Sequence, residues 1–225
     1  MLPDTPSRRL AAVVSLFVAP VLGLLFGALS PPFPEDTAER LAGFADGPLP
    51  AVSAVAFAVM QLPMLVAFLA IGRLVLPGSP RLSAWGTALA VLGCFGHLVF
   101  GGLSMAYLAM AHDEANRAVH AQLLSDIESS PVMLFASVGF VGSVLGQLLL
   151  SIALFRTRTG PVWVGPAIWA FLALEFFVSN LTPWASYLAV VLLGAAFWAL
   201  GDLLRRSPLE PLGRRETASV VARRR

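Results

Sequence analysis

Six apolar segments, each about 20 residues long, account for most of this chain. They run roughly over residues 10–29, 51–75, 83–110, 131–155, 162–181 and 184–204. An α-helix of about 20 apolar residues crosses the hydrocarbon of a bilayer. Charged residues make up only 12% of the 225 residues, about half of the share that soluble domains carry. The sequence therefore predicts an all-α membrane protein, in which residues 1–205 form one domain of six transmembrane helices.

The basic residues divide unequally between the two sides of such a bundle. One side receives most of them: Arg8, Arg9, Arg73, Arg81, Arg156, Arg158, Arg205, Arg206 and those of the tail. The other side receives only Arg40 and Arg117, together with most of the acidic residues. Because basic loops mark the cytoplasmic side, both termini are predicted to be cytoplasmic. All fifteen basic residues are Arg, and this composition favours a bacterial protein of the cytoplasmic (plasma) membrane.

The two long loops lie on the acidic side, and each is predicted to contain a short amphipathic helix. Over residues 36–45, Asp36 is the expected N-cap and Glu39 follows at capping-box spacing. Residues 206–225 are rich in Arg and are predicted to be a disordered cytoplasmic tail that attracts anionic lipid. Over residues 112–128, apolar residues at four-residue spacing predict a helix that lies on the outer surface or caps the bundle: Val119, Leu123 and Ile127.

Four polar side chains inside the apolar segments are the best indicators of function: Gln61, His97, Gln147 and Glu175. A carboxylate at the centre of a membrane helix costs about 2.5–3.5 kcal/mol on insertion scales. Glu175 must therefore find a partner, face water or hold its proton. An ionisable residue inside a membrane is by default a candidate functional group.

Two hairpins, over residues 50–107 and 131–182, follow a common pattern. In each, the second helix starts from a Trp near the inner interface and carries an ionisable residue twelve positions later, which is His97 in the first hairpin and Glu175 in the second. Twelve residues span about 18 Å of helix, so His97 and Glu175 are expected at similar depth, with the two Gln residues at or just below that level. The hairpins are either an internal repeat or two unrelated hairpins with a chance likeness.

Small residues recur every three or four positions along the helix that contains His97: Gly86, Ala90, Gly93, His97, Gly101 and Ser104. Small residues let membrane helices approach closely, so His97 is expected to face protein. One hypothesis is that His97 and Glu175 pair and share a proton, as candidate catalytic or ligand-binding groups flanked by Gln61 and Gln147. The alternative is a pair that only locks two helices together, which contributes about 0.6 kcal/mol on average.

Several other kinds of site find no support in the sequence. Cys94 is the only cysteine, so neither an intrachain disulfide nor a cysteine-rich metal site can form. His112 and His120 lie in an acidic loop without a recognised metal-ligand spacing, and a solvated loop is the favoured interpretation. His97 is the only histidine in an apolar segment, whereas a b-type haem needs two. We expect no metal, no cofactor and no nucleic acid partner.

The runs Leu92-Gly-Cys-Phe-Gly-His97, Ser130-Pro-Val-Met, Gly146-Gln-Leu and Ala153-Leu-Phe-Arg156, followed by Pro161-Val-Trp163, resemble those of a set of uncharacterised bacterial multi-pass membrane proteins. The resemblance covers residues 50–205. It implies the six-span fold and no activity.

Three functions are compatible with these patterns. The first is a membrane protein that binds or moves a small lipophilic or protonatable molecule at Gln61, His97, Gln147 and Glu175. The second is a membrane enzyme acting on a lipid or isoprenoid, with Glu175 as acid and His97 as base. The third is a non-catalytic accessory subunit of a membrane complex. Beyond the bilayer, the expected partners are a small lipophilic ligand and either another membrane protein or a second copy of the chain.

Overall fold

The structure, a computed structural model, describes residues 5–31, 34, 36–131, 133–179 and 182–207. Within them lie eight α-helices: α1 (Pro6–Leu29), α2 (Thr37–Phe44), α3 (Leu49–Val75), α4 (Pro80–Ala111), α5 (Arg117–Ser129), α6 (Met133–Thr157), α7 (Val164–Ala173) and α8 (Pro183–Arg206). A π-helix, Leu174–Val178, continues α7. The predicted disordered tail lies outside the described residues from residue 208 onward.

Five helices have the length and apolar composition to cross a membrane: α1, α3, α4, α6 and α8. Proline opens α1, α4 and α8, where its missing N–H leaves no intrahelical bond unmade. The segment predicted as a sixth span, 162–181, is shorter than expected. Its α-helical and π-helical parts cover Val164–Val178, which corresponds to about 22 Å at an α-helical rise, less than the roughly 30 Å of hydrocarbon. Thr182 has an extended backbone, as expected for a residue before proline.

The long helices and α7 form a closed ring. Neighbours in the chain pack on one another in the order α1, α3, α4, α6, α7, α8, and α8 returns to pack on α1. Short turns join α3 to α4 and α6 to α7, whereas the connections from α1 to α3 and from α4 to α6 contain α2 and α5. The ring therefore encloses a central space to which all six helices contribute.

The closest contact in the ring joins α4 and α6, and it depends on glycine. A Cβ atom built on Gly139 would lie 2.2 Å from the Cα atom of Gly96, and one built on Gly146 would lie 2.3 Å from the backbone nitrogen of Ala90. The small-residue stripe predicted on α4 lies largely at this contact, since Gly93 faces Ser143 of α6 in the same way. Gly and Ala thus allow these backbones to approach closely.

Helices α2 and α5 pack on each other and on α4, so both lie at the same end of the ring. As predicted, Asp36 caps α2 by accepting a hydrogen bond from the backbone nitrogen of Glu39 at 2.8 Å. The ion pair between Arg40 of α2 and Glu128 of α5 joins the two helices at 2.5 Å, and the Tyr107 hydroxyl of α4 donates to the same carboxylate at 2.8 Å. We call this end of the bundle the capped end.

The buried face of α5 differs from the prediction. Leu124 is the buried residue of this helix, and Ile127 packs partly against the cluster around it. Val119 and Leu123, which were expected to share that face with Ile127, are exposed. The difference arises because a 3₁₀ turn, Glu114–Asn116, precedes α5, and because the ion pair of Glu128 with α2 fixes the rotation of the helix about its axis.

The apolar core fills only one half of the ring. Its buried residues come from the ends of the helices farthest from α2 and α5, and they include Leu16, Ile71, Leu154, Ile168 and Leu200. These ends also carry the arginine-rich connections of the chain. The interior of the bundle is thus closely packed toward the arginine-rich end.

Candidate functional site

A cavity of about 550 Å³ occupies the half of the ring nearer the capped end. Every helix of the ring contributes to its wall, from Pro20 on α1 to Leu193 on α8. Its size lies within the range of about 300–1,000 Å³ that is typical of small-molecule sites. The ring thus encloses a space large enough for a ligand.

All four polar residues singled out in the sequence line this one cavity: Gln61 from α3, His97 from α4, Gln147 from α6 and Glu175 from the π-helix. The structure thus brings together side chains that are far apart in the chain. The Trp spacing predicted similar depth for His97 and Glu175, with the two Gln residues at or just below that level. Depth in a membrane stays a prediction. Their roles remain predictions.

His97 and Glu175 do not form the predicted direct pair. Among the described residues neither side chain makes an ion pair within 4.0 Å, and no hydrogen bond joins them. An aromatic side chain lies between the two elements instead. The ring of Phe140 meets the His97 ring edge-on at 6.5 Å between centroids, and it meets the ring of Phe176, the residue after Glu175, at 4.9 Å. Each polar group therefore faces the cavity separately.

Gln61 lines the cavity and carries a buried acceptor without a partner. Its side chain is only 1% exposed, and its amide nitrogen donates to the backbone carbonyl of Phe57 at 3.1 Å. Because a carbonyl oxygen can only accept, the amide nitrogen must be the atom that faces Phe57. The carbonyl oxygen Oε1 then points the other way, and it has no hydrogen-bond partner.

Gln147 repeats this arrangement on α6. Its side chain is 6% exposed, and its amide nitrogen donates to the hydroxyl of Ser143 one turn earlier, at 3.1 Å. The oxygen Oε1 of Gln147 is buried and lacks a partner. Buried polar atoms without a hydrogen bond are rare in proteins and cost about 1–3 kcal/mol each. Two such oxygens belong to residues that line the same cavity.

Glu175 lies in the π-helical turn. The backbone nitrogen of Ser179 bonds to the carbonyl of Leu174 at 2.8 Å, which is the i+5 pattern of a π-helix, and the Ser179 hydroxyl donates to the carbonyl of Glu175. Single π-helical turns occur frequently at functional sites. The carboxylate oxygen Oε2 of Glu175 is buried and has no hydrogen-bond partner among the described residues.

Aromatic rings border the His97 side chain. It is half-buried, and its ring lies edge-on to Phe57 at 5.8 Å between centroids, with Phe140 on another side. Neither ring nitrogen makes a hydrogen bond with the described residues. The imidazole is therefore free to interact with an occupant of the cavity.

The remaining wall is apolar and rich in aromatic and thioether side chains. Seven phenylalanines and three methionines contribute: Phe26, Phe57, Phe68, Phe100, Phe140, Phe171, Phe176, Met60, Met64 and Met133. Sequence reasoning missed this wall and the contribution of α1. The available signal was the spacing of the residues at 57, 60, 61, 64 and 68 of α3, which places them on one helical face.

The cavity is closed toward the arginine-rich end and faces the side of the bundle. Phe68 and Gln147 form its floor, directly above the solid core. On the side of the bundle formed by α6 and the π-helix, the π-helix packs on α7 and α8, whereas α6 packs on α7. The first half of α6 therefore diverges from the π-helix. Ser137 and Val141 of α6 line the cavity and are also exposed on the outside of the bundle. The Phe140–Phe176 contact spans this gap.

No protein-family model matches the chain, and no curated protein or solved structure shows significant similarity to it. The function must therefore be argued from the chemistry of the site itself.

Proposed function

We propose that this protein binds a small lipophilic molecule within the membrane, in the cavity of its capped half. The observation that carries this proposal is the cavity of about 550 Å³, whose wall is largely Phe and Met side chains with a few polar groups. An apolar space with a small number of placed polar groups is the usual form of a ligand site. We also propose that α7 and the π-helix complete a sixth crossing, with both termini cytoplasmic in a bacterial plasma membrane.

The composition of the cavity wall supports the view that the cavity has an occupant. The wall of the cavity is largely apolar, and hydrating such a surface is unfavourable. An apolar molecule that fills the cavity removes this surface from water.

The position of the cavity favours binding from the bilayer over conduction across it. A channel or alternating-access carrier needs a path to both sides, but the core closes the arginine-rich end with residues such as Ile71 and Leu200, which are buried. The divergence of α6 from the π-helix offers a lateral route instead. In this account the ligand moves sideways from lipid into the cavity and displaces the Phe140–Phe176 contact.

An enzyme acting on a lipid or isoprenoid is the second candidate. The observation in its favour is that Glu175 lies in a π-helical turn and that both it and His97 present unpaired polar atoms to the cavity. Acid–base catalysis needs two groups within hydrogen-bond reach of one reacting atom. A substrate that passed between them, past Phe140, would meet that requirement, and it would occupy the same cavity.

Photolabelling tests the binding proposal directly. The full chain in nanodiscs of zwitterionic lipid is irradiated with decanol that carries a diazirine in its chain, and the labelled residues are mapped by peptide mass spectrometry. We expect labelling of the cavity wall on α3 and α6 that excess unlabelled decanol abolishes. Labelling of lipid-facing residues is expected to persist, because bulk lipid does not saturate.

Two variants on α3 make the test specific. Met60 lines the cavity, so Met60→Trp should fill it and remove the saturable labelling. Leu62 is 67% exposed on the outside of the same helix, so Leu62→Trp should leave that labelling intact. Equal, non-saturable labelling in both variants and in the wild-type protein would rule out the binding site.

A further inference from the structure

Three buried oxygen atoms on the cavity wall lack hydrogen-bond partners: Oε1 of Gln61, Oε1 of Gln147 and Oε2 of Glu175. The two amide oxygens can only accept, and a carboxylate oxygen accepts in its ionised form. The amide nitrogens of the two glutamines are already used, one on the carbonyl of Phe57 and one on the hydroxyl of Ser143. The cavity wall therefore carries more free acceptors than donors, and a ligand with N–H or O–H groups reaches these buried oxygens when the side chains rotate toward it.

The described residues leave an ionised Glu175 without a counter-charge. No basic side chain of the described residues lies within 4.0 Å of the Glu175 carboxylate. Buried charges in proteins are paired or coordinated. His97 is the other ionisable group on the wall, and it makes no hydrogen bond to Glu175. A cation that enters with the ligand would complete the pair.

The aromatic wall suits a cationic head group as well as an apolar body. Phenylalanine faces attract ammonium groups within about 6 Å of the ring centre. Three phenylalanines line the cavity together with His97 and Glu175: Phe57, Phe140 and Phe176. The His97 ring lies edge-on to Phe57 and to Phe140, and Phe140 lies edge-on to Phe176. Methionine side chains of the wall, such as Met60 and Met64, are flexible and adapt to apolar chains of different shape.

We infer that the ligand of this cavity is a lipophilic primary or secondary amine, bound as the ammonium ion. Its positive charge pairs with Glu175, its N–H groups donate to the carboxylate and to the free oxygens of Gln61 and Gln147, and its apolar body packs against the Phe and Met wall. An ammonium group carries donors and no acceptor, which matches the excess of acceptors in the site. This inference rests on the proposed function and adds the chemical class of the ligand.

A matched series of ten-carbon compounds tests the inference by competition against the photolabelled decanol in nanodiscs of zwitterionic lipid. Decylamine carries both charge and donors, decyltrimethylammonium carries charge without N–H donors, decanol carries one donor without charge, and decanoate carries the opposite charge. The measured quantity is the ratio of the competing concentrations of two compounds in the same protein. Comparing that ratio between wild-type and variant proteins cancels the partitioning of each compound into the bilayer.

In the wild-type protein we expect decylamine to compete at a concentration at least tenfold below that of decanol and at least threefold below that of decyltrimethylammonium. Glu175→Gln, which keeps an acceptor and removes the charge, should reduce the tenfold preference over decanol to less than threefold. Gln61→Leu should reduce the preference over decyltrimethylammonium, because one acceptor for N–H is lost. Gln122 is exposed on α5, so Gln122→Leu serves as the control for loss of an amide and should change neither ratio.

The outcomes separate this inference from the proposal beneath it. If decanol or decanoate competes as well as decylamine, or if Glu175→Gln leaves the preference unchanged, the cavity binds lipophilic molecules but the assignment to amines is wrong. If decyltrimethylammonium matches decylamine, the excess of acceptors does not select the ligand and that part of the inference is overturned. If no compound competes, the binding proposal itself fails.

Discussion

Gly139→Ala is expected to destabilise the fold through the closest contact of the ring. The new Cβ atom would lie 2.2 Å from the Cα atom of Gly96 and 2.8 Å from its backbone nitrogen. An ordinary van der Waals contact begins near 3.4 Å, so α4 and α6 must separate by about 1 Å. The obstructing atoms belong to backbone, and no change of side-chain rotamer relieves the contact.

The expected magnitude follows from two opposing contributions. Overpacking a well-packed contact costs about 1–3 kcal/mol, and a backbone clash belongs at the upper end of that range. Replacing Gly by Ala in a helix returns about 0.5–1 kcal/mol. We therefore expect a net loss of about 2 kcal/mol, which corresponds to a fall in Tm of about 4–8 °C for a chain of this size.

The assay is unfolding of the purified protein in mixed micelles, with Tm and the denaturant midpoint both recorded. Gly102 on α4 provides the matched control, because a Cβ atom built there meets nothing within 4 Å. Gly102→Ala should leave Tm unchanged or raise it slightly. A Gly139→Ala protein as stable as the Gly102→Ala protein would refute the contact between α4 and α6, and with it the ring that encloses the cavity.

Three further changes test other parts of the structure. Glu128→Gln removes the ion pair with Arg40 and should lower the free energy of unfolding by about 1–2 kcal/mol. Hydrogen bonds from Asn116 and His120 hold the pKa of Asp113 below its ordinary value. Its ionised form therefore stabilises the fold above the unfolded pKa of about 3.9, and that stability is lost as pH falls through the lower folded-state pKa, so Asp113→Asn should flatten acid unfolding. Phe140→Ala opens the gap beside the π-helix and should speed release of decanol several-fold in stopped-flow measurements.

Each of these changes has a control or a contradicting result. Glu114 is 84% exposed on its side chain, so Glu114→Gln should cost less than about 0.5 kcal/mol; equal costs for the two Glu variants would argue against the ion pair. A steeper acid transition in Asp113→Asn would contradict the sign given for Asp113. Phe135 is exposed on the same helix as Phe140, and Phe135→Ala should leave the release rate unchanged. Equal acceleration in both Phe variants would exclude the lateral route.

The positions of the polar residues were predictable because helical rise is regular. Counting twelve residues from Trp85 and from Trp163 was enough to assign His97 and Glu175 to one layer, and both line the same cavity. The N-cap of α2 at Asp36 was predictable for a similar reason, since a capping box is a local pattern that needs no tertiary contact. Long apolar helices are likewise determined by composition over a short window.

The cavity, the π-helix and the rotation of α5 were not predictable in this way. A cavity forms where side chains of six helices fail to meet, and no local pattern encodes that outcome. The π-helical turn at Glu175 adds one residue to a helical turn. The apolar sequence around Glu175 is equally compatible with an α-helix and with a π-helix, so it does not predict the π-helical turn. His97 and Glu175 were predicted at one depth, but they lie on different sides of the cavity, because Phe140 of α6 lies between them. The side of the ring on which a helix lies is set by tertiary packing.

Equilibrium binding of radiolabelled decylamine to the full chain in nanodiscs tests the central claim most directly. The claim predicts one saturable site for each chain above the linear uptake of empty nanodiscs, and this site should disappear in Met60→Trp and persist in Leu62→Trp. Uptake that rises linearly with concentration and equals that of empty nanodiscs would contradict the claim that the cavity is a binding site.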